Sequence, residues 1–162
     1  MKTLLIVRHA KTERDHPDGD HARGLTPRGT REATALGYDL HGRIGTPDRI
    51  VTSDARRAVQ TATLIATACA AADRLHLDPA LYGADLADLL TALRRLPDSA
   101  MTVILVGHNP GLEALVPALT GGPERHLPPA GLAHLTLPVG HWAAVRPGTA
   151  TLVAWVLPTG HE

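Results

Sequence analysis

Six short runs of apolar and β-branched residues recur along this chain with helical stretches between most of them, and few folds satisfy that order. The strand-like runs are Thr3–Val7, Arg49–Thr52, Leu75–Leu77, Thr102–Val106, Leu132–Leu137 and Thr151–Val156. The helical stretches predicted between the earlier runs are 27–41, 55–71, 85–96 and one that starts after Asn109-Pro110-Gly111 and ends near Gly121. Thr26-Pro27 opens the first of them, a capping residue followed by one preset for the first helical position. Pro97 stops the third, and Gly121-Gly122-Pro123 ends the fourth. Strands that alternate with helices pair in parallel and are covered on both faces. The last two runs have no helix between them, so they form an antiparallel hairpin or pair at one edge. The expectation is a three-layer α/β/α sandwich with a mainly parallel sheet of about six strands and one antiparallel edge.

A chain of 162 residues suits one domain, taken here as 1–162. Aromatic residues make up only 2%, with no Phe, so the core rests on Leu, Val, Ile and Ala. Lys+Arg and Asp+Glu both number 16, which gives no support to a nucleic-acid or membrane-surface partner. Any basic site must be a local pocket. The single cysteine, Cys69, cannot form an internal disulfide, and no stretch is long enough to span a bilayer. The chain reads as cytoplasmic.

Open α/β sheets bind ligands at the carboxyl ends of their strands. Three strand ends here deliver chemistry to that rim. The first run ends in Arg8-His9. The second is followed by Ser53 and then Arg56-Arg57 at a helix start. The fourth ends in Gly107-His108-Asn109-Pro110-Gly111. A further segment, Asp20-His21-Ala22-Arg23-Gly24-Leu25-Thr26, precedes the first helix. Arginine grips phosphoryl oxygens with paired donors, and histidine can take up a phosphoryl group as an N–P intermediate. A second imidazole can donate to an equatorial oxygen as charge shifts. No metal or cofactor is required by that chemistry. The histidines and acids of 15–21 lack metal-ligand spacing and read as a solvated loop. His41, His76, His126, His134, His141 and His161 likewise show no ligand spacing.

In that order the motifs resemble those of the histidine phosphatase (phosphoglycerate mutase-like) superfamily, most of all its small SixA-like phosphohistidine phosphatase branch. The matching elements are Arg8-His9-Ala10, Arg23-Gly24-Leu25-Thr26-Pro27-Arg28-Gly29, Ser53-x-x-x-Arg57-Ala58-x-Gln60-Thr61, Leu81-Tyr82 and Gly107-His108-Asn109-Pro110-Gly111. The resemblance implies that His9 is the phosphorylated nucleophile and that Arg8, Arg57 and His108 complete the phosphate pocket. Arg57, not Arg56, falls at the family position. Arg23 and Asn109 are placed with the substrate-binding set. Asp15 stands where mutase-like relatives carry asparagine, which counts against sugar-phosphate mutase chemistry. No acid is clearly placed to protonate an ester oxygen; Asp85 is the best candidate, followed by Glu13 and Asp15.

The expected activity is a metal-independent phosphatase acting on a protein phosphohistidine or another phosphoramidate. The alternatives are a broad small-molecule phosphomonoesterase and a phospho-binding module without turnover.

Overall fold

A computed structural model describes residues 1–158. The strands are β1 (Lys2–Arg8), β2 (Arg49–Thr52), β3 (Leu75–Leu77), β4 (Thr102–Gly107), β5 (Leu132–Leu137) and β6 (Thr151–Val156). The helices are α1 (Pro27–Ile44), α2 (Arg56–Ala68), α3 (Leu86–Arg94) and α4 (Gly111–Thr120). Every predicted run is a strand and every predicted helical stretch a helix. The boundaries shift by a few residues: α1 runs past His41 to Ile44, and α2 stops at Ala68. His161 lies outside the described residues.

The sheet order is β3-β2-β4-β1-β5-β6. Strands β1, β2, β3 and β4 run parallel. Strand β5 runs antiparallel to β1, and β6 antiparallel to β5, which makes the expected antiparallel edge. A register shift beyond His134 inserts an extra residue in β6. Leu152 and Trp155 can therefore pack against the same core despite their odd spacing.

Alternation along β1 shows how the three layers arise. Leu5 and Val7 join Ala33, Leu36 and Leu40 of α1 and Ala58, Ala62 and Ile65 of α2 in one core. Leu4 and Ile6 point the other way, into a core with Leu89 and Leu93 of α3 and Leu112, Leu115 and Leu119 of α4. A strand buried on both faces reads as the unbroken apolar run seen at 4–7.

Local chemistry places α1. Thr26 Oγ1 accepts from Gly29 N at 3.0 Å, and Pro27 takes the first helical position. Thr26 N donates to Lys11 O at 3.0 Å. A Cβ on Gly29 would lie 2.1 Å from Lys11 O, so the helix start presses on the backbone just after His9 and admits no side chain there. Among the described residues, no helix is long and apolar enough to cross a membrane.

Candidate active site

Parallel pairing brings three strand ends level. Arg8 is in register with Gly107, and Thr52 with Val106. One more rung follows on each side: His9 N donates to Gly107 O at 3.0 Å, and Ser53 N to Val106 O at 3.1 Å. The His9 and His108 rings stand 5.2 Å apart between centroids. The segment before β5 closes another side. Leu127 O accepts from Arg8 Nη1 at 3.1 Å and from Asn109 Nδ2 at 2.8 Å, and Ala130 N donates to Arg8 O at 3.1 Å.

His9 is 7% exposed. Its Nδ1 lies 2.8 Å from Ala10 O. A carbonyl oxygen can only accept, so Nδ1 carries the proton and Nε2 keeps its lone pair. Burial pushes the pKa down to about 3 against the opposing pull of the Ala10 carbonyl, while His108, Arg57 and Arg8 lower it further. At neutral pH the ring is an uncharged imidazole with one free nitrogen.

That geometry is pinned from α2. Ala10 N donates to Thr61 Oγ1 at 3.0 Å, and Thr61 Oγ1 donates to Arg57 O at 2.8 Å. One residue earlier, Gln60 Oε1 accepts from Leu25 N at 2.8 Å. Residues three and four apart share a helix face. Arg57, Gln60 and Thr61 are thus one surface: an arginine into the site, an amide on the strand of chain carrying Arg23, and a hydroxyl on the strand of chain carrying His9.

The cavity measures about 280 Å³ and is lined by His9, His108, Asn109 and four cations, Arg8, Lys11, Arg23 and Arg57. Arg57 is 7% exposed; its Nη1 donates to Asp20 O at 2.8 Å and its Nη2 to Asp20 Oδ2 at 3.0 Å. Among the described residues, the buried Nε atoms of Arg8, Arg23 and Arg57 have no acceptor and His108 Nδ1 has no partner. An unpaired buried donor costs roughly 1–3 kcal/mol. His108 Nε2 lies 2.7 Å from Ser53 Oγ, which already accepts from Ala55 N at 3.1 Å. With the Ser53 hydroxyl proton directed at His108 Nε2, His108 Nδ1 would be left as a donor. Burial, with Arg57 beside it, lowers the His108 pKa to about 4.

Arg8, His9, Arg23, Arg57, His108 and Asn109 are therefore brought together around one cavity. Arg56 is exposed and reaches Ala22 O at 3.4 Å instead. Asp85 requires a correction. It does not line the cavity but caps α3: its Oδ1 accepts from Asp88 N at 2.9 Å, and Asp88 Oδ2 accepts from Asp85 N at 3.1 Å. The acid expected to protonate an ester oxygen is thus a helix cap. Glu13 and Asp15, also exposed, do not line the cavity either.

Sequence reasoning gave no individual role to Asp20, Tyr82, Ser53 or Lys11, although Asp20, Tyr82 and Ser53 stand in segments it singled out. Asp20 read as part of a solvated loop, yet the short 3₁₀ turn Asp20–Ala22 folds it onto Arg57. Tyr82 OH donates to Asp20 Oδ2 at 2.6 Å. The signal available was the Leu81-Tyr82 motif, which carried no stated contact. Among the described residues, no three His, Cys, Asp or Glu side chains gather so as to hold a metal ion.

Comparison with known proteins agrees with this geometry. The model of the histidine phosphatase superfamily, branch 1, matches residues 4–91. The Mycobacterium tuberculosis protein Rv1276c, itself uncharacterized, is 37% identical over 94% of this chain and 99% of its own length. A protein of Nakamurella multipartitia, provisionally assigned as a phosphohistidine phosphatase SixA, superposes with a TM-score of 0.85 at 29% identity, covering 98% of this chain and 97% of that one. The protein histidine phosphatase SixA complexed with tungstate shares the fold, with a TM-score of 0.81 at 22% identity over 94% and 95% of the two chains.

Proposed function

Because the chain belongs to the histidine phosphatase superfamily and is a phosphatase, we propose that it removes phosphoryl groups from protein phosphohistidine through an intermediate on His9. The whole of 1–162 acts as one such domain. The observation that carries the reading is the state of His9: a neutral imidazole, its Nδ1–H fixed on Ala10 O, its Nε2 free within a cavity walled by arginines.

The chemistry follows from these groups. A phosphoryl group enters with its oxygens on Arg8, Arg57 and the Nδ1–H of His108, with Arg23 and Asn109 at the substrate side. Arginine donors match phosphoryl oxygens in pairs, and they are already in place before the substrate arrives. His9 Nε2 attacks phosphorus as the bond to the leaving group breaks. The new phospho-His9 keeps its Nδ1–H on Ala10 O, which spreads the positive charge of the ring. Water then attacks phosphorus and returns the electron pair to Nε2. Nothing in this sequence calls for a metal ion, and turnover is expected in excess EDTA. The SixA likeness of the fold supports phosphohistidine as the substrate class.

The test is to trap the intermediate. Brief incubation with labelled substrate and quenching without acid should leave label on the wild type and none on His9→Ala. Equal labelling of both proteins would overturn the assignment.

A further inference from the structure

The lining of the cavity is cationic, but its flank beyond Arg57 and His108 is not. Asp20 stands there on the turn Asp20–Ala22, its side chain 52% exposed. Its Oδ2 takes hydrogen bonds from Tyr82 OH at 2.6 Å and Arg57 Nη2 at 3.0 Å, and its Oδ1 lies 3.3 Å from Arg23 Nη1. Two of those three partners line the cavity; the carboxylate itself does not line it but stands directly behind them. Beside it the Tyr82 ring stands edge-on to His108 at 5.7 Å and to His21 at 4.8 Å. His21 Nε2 in turn meets Asp54 Oδ1 at 3.1 Å. The flank beside Arg57 and His108 is therefore aromatic and acidic.

A fixed carboxylate beside a phosphoryl dianion repels it, unless the rest of the substrate brings a cation. We propose that Asp20 selects the leaving group, accepting the remote N–H of a phosphohistidine imidazolium whose other nitrogen carries the phosphoryl group. This rests on the reading of His9 as phosphoryl acceptor. A carboxylate offers about four acceptor sites; the protein's two hydrogen bonds fall on Oδ2, which leaves Oδ1, 3.3 Å from Arg23 Nη1, to accept from the substrate. The Tyr82 and His21 rings give the planar imidazole an edge and a face to pack on. Tyr82 and Arg57 also hold Asp20 ionised, its pKa drawn down first by the tyrosine hydroxyl.

The transfer then balances with no proton moved. His9 Nε2 forms its bond to phosphorus while the substrate N–P bond breaks and its electron pair returns to the substrate ring. That ring keeps its remote N–H on Asp20 throughout and departs neutral. His9 takes over the imidazolium character, with its own N–H on Ala10 O. Asp20 and the Ala10 carbonyl are thus matched acceptors on either side of the migrating phosphoryl group. Water next adds to phosphorus, the His9 N–P bond breaks toward Nε2, and the product leaves as dihydrogen phosphate. An alkyl ester fails at the first step: its alkoxide needs a proton, and ionised Asp20 has none to give.

The experiment compares kcat/KM for a phosphohistidine peptide and for p-nitrophenyl phosphate in the wild type, Asp20→Asn and Asp20→Ser, with melting temperatures to show that each variant folds. Losing a charge-assisted hydrogen bond corresponds to roughly 10- to 100-fold. Phosphohistidine turnover should fall by that factor, and the aryl ester by much less. An equal fall for both substrates would mean that Asp20 merely orients Arg57. A rise for both, with tighter inhibition by inorganic phosphate, would make Asp20 a competitor for Arg57. Either result overturns the inference while leaving phosphohistidine phosphatase activity standing. A wild type that turns over the aryl ester through His9 but not phosphohistidine would instead remove the proposed substrate, and the inference with it.

Discussion

Replacing Thr61 by valine keeps the shape of a buried side chain and deletes one hydroxyl. That hydroxyl accepts from Ala10 N at 3.0 Å and donates to Arg57 O at 2.8 Å. Both Thr61 and Ala10 are fully buried, so in Thr61→Val the Ala10 amide has no water to turn to. Leaving such a donor unpaired costs about 1–3 kcal/mol. For a chain of this size, that corresponds to a melting temperature lower by ~2–12 °C. The catalytic consequence runs through the same peptide, since Ala10 O fixes the proton on His9 Nδ1. If that hydrogen bond weakens by about 1 kcal/mol, the productive tautomer and orientation lose roughly fivefold in relative population. kcat should fall about fivefold while KM holds, because the arginines that grip phosphate are untouched. Steady-state kinetics with p-nitrophenyl phosphate and a thermal melt read both effects, and Thr61→Ser should restore most of each. A variant that melts early with kcat unchanged would refute the link from α2 to the nucleophile. One unchanged in both would show that the Ala10 amide does not depend on the hydroxyl.

Arg57→Ala should lower kcat/KM by ~10²–10³-fold, the usual cost of a preorganised donor, while Arg56→Ala changes it little; equal effects at both would place the wrong arginine in the site. Asp85→Ala should cost about 1 kcal/mol through the lost cap of α3, seen as a lower melting temperature, with kcat unchanged; a large loss of turnover would reinstate it as a proton donor. His9 and His108 titrate at about 3 and about 4 in the fold against 6.5 when unfolded, so between those values the unfolded chain binds more protons. Stability should therefore decline as pH falls from 6.5 toward 4, and His9→Gln with His108→Gln should flatten that decline in a thermal-shift series. An identical slope in the double variant would show that other groups carry it.

The frame of the site was legible because its parts are local. An apolar run buried on both faces, such as 4–7, announces a central strand, and the residue after it must emerge at the rim. Arg8-His9 and Gly107-His108 needed nothing more than parallel pairing to meet. Arg57 was separable from Arg56 only by its place in a motif. The structure supplies the physical reason: Arg57 and Thr61, four apart, turn inward toward the chain that carries His9, whereas Arg56 lies on Gln60's outer side and stops, exposed, at Ala22 O. What could not be read were contacts made across long loops. Asp20 and Tyr82 are 62 positions apart and no periodicity couples them. Asp85 shows the opposite failure. Its capping pattern with Asp88 was visible in the sequence, but an acid following Leu81-Tyr82 drew a chemical role that a helix terminus fully explains.

Strand β1 is interior to the sheet, paired to β4 on one side and to β5 on the other. Its amides at 4–7 should therefore exchange with solvent deuterium only when the whole domain opens. Asp20 and its neighbours hang on the segment between β1 and α1, which is closed on itself by the bridge between Thr12 and Leu25 and held to α2 by side chains such as Gln60 and Arg57. Their amides should exchange by local opening, many times faster. Reactivity and selectivity thus ride on parts of different cooperativity. Insertions or exchanges in the looser part can change which molecule is admitted while His9 keeps its register, so descendants of one such chain can diverge in diet without rebuilding the strand ends.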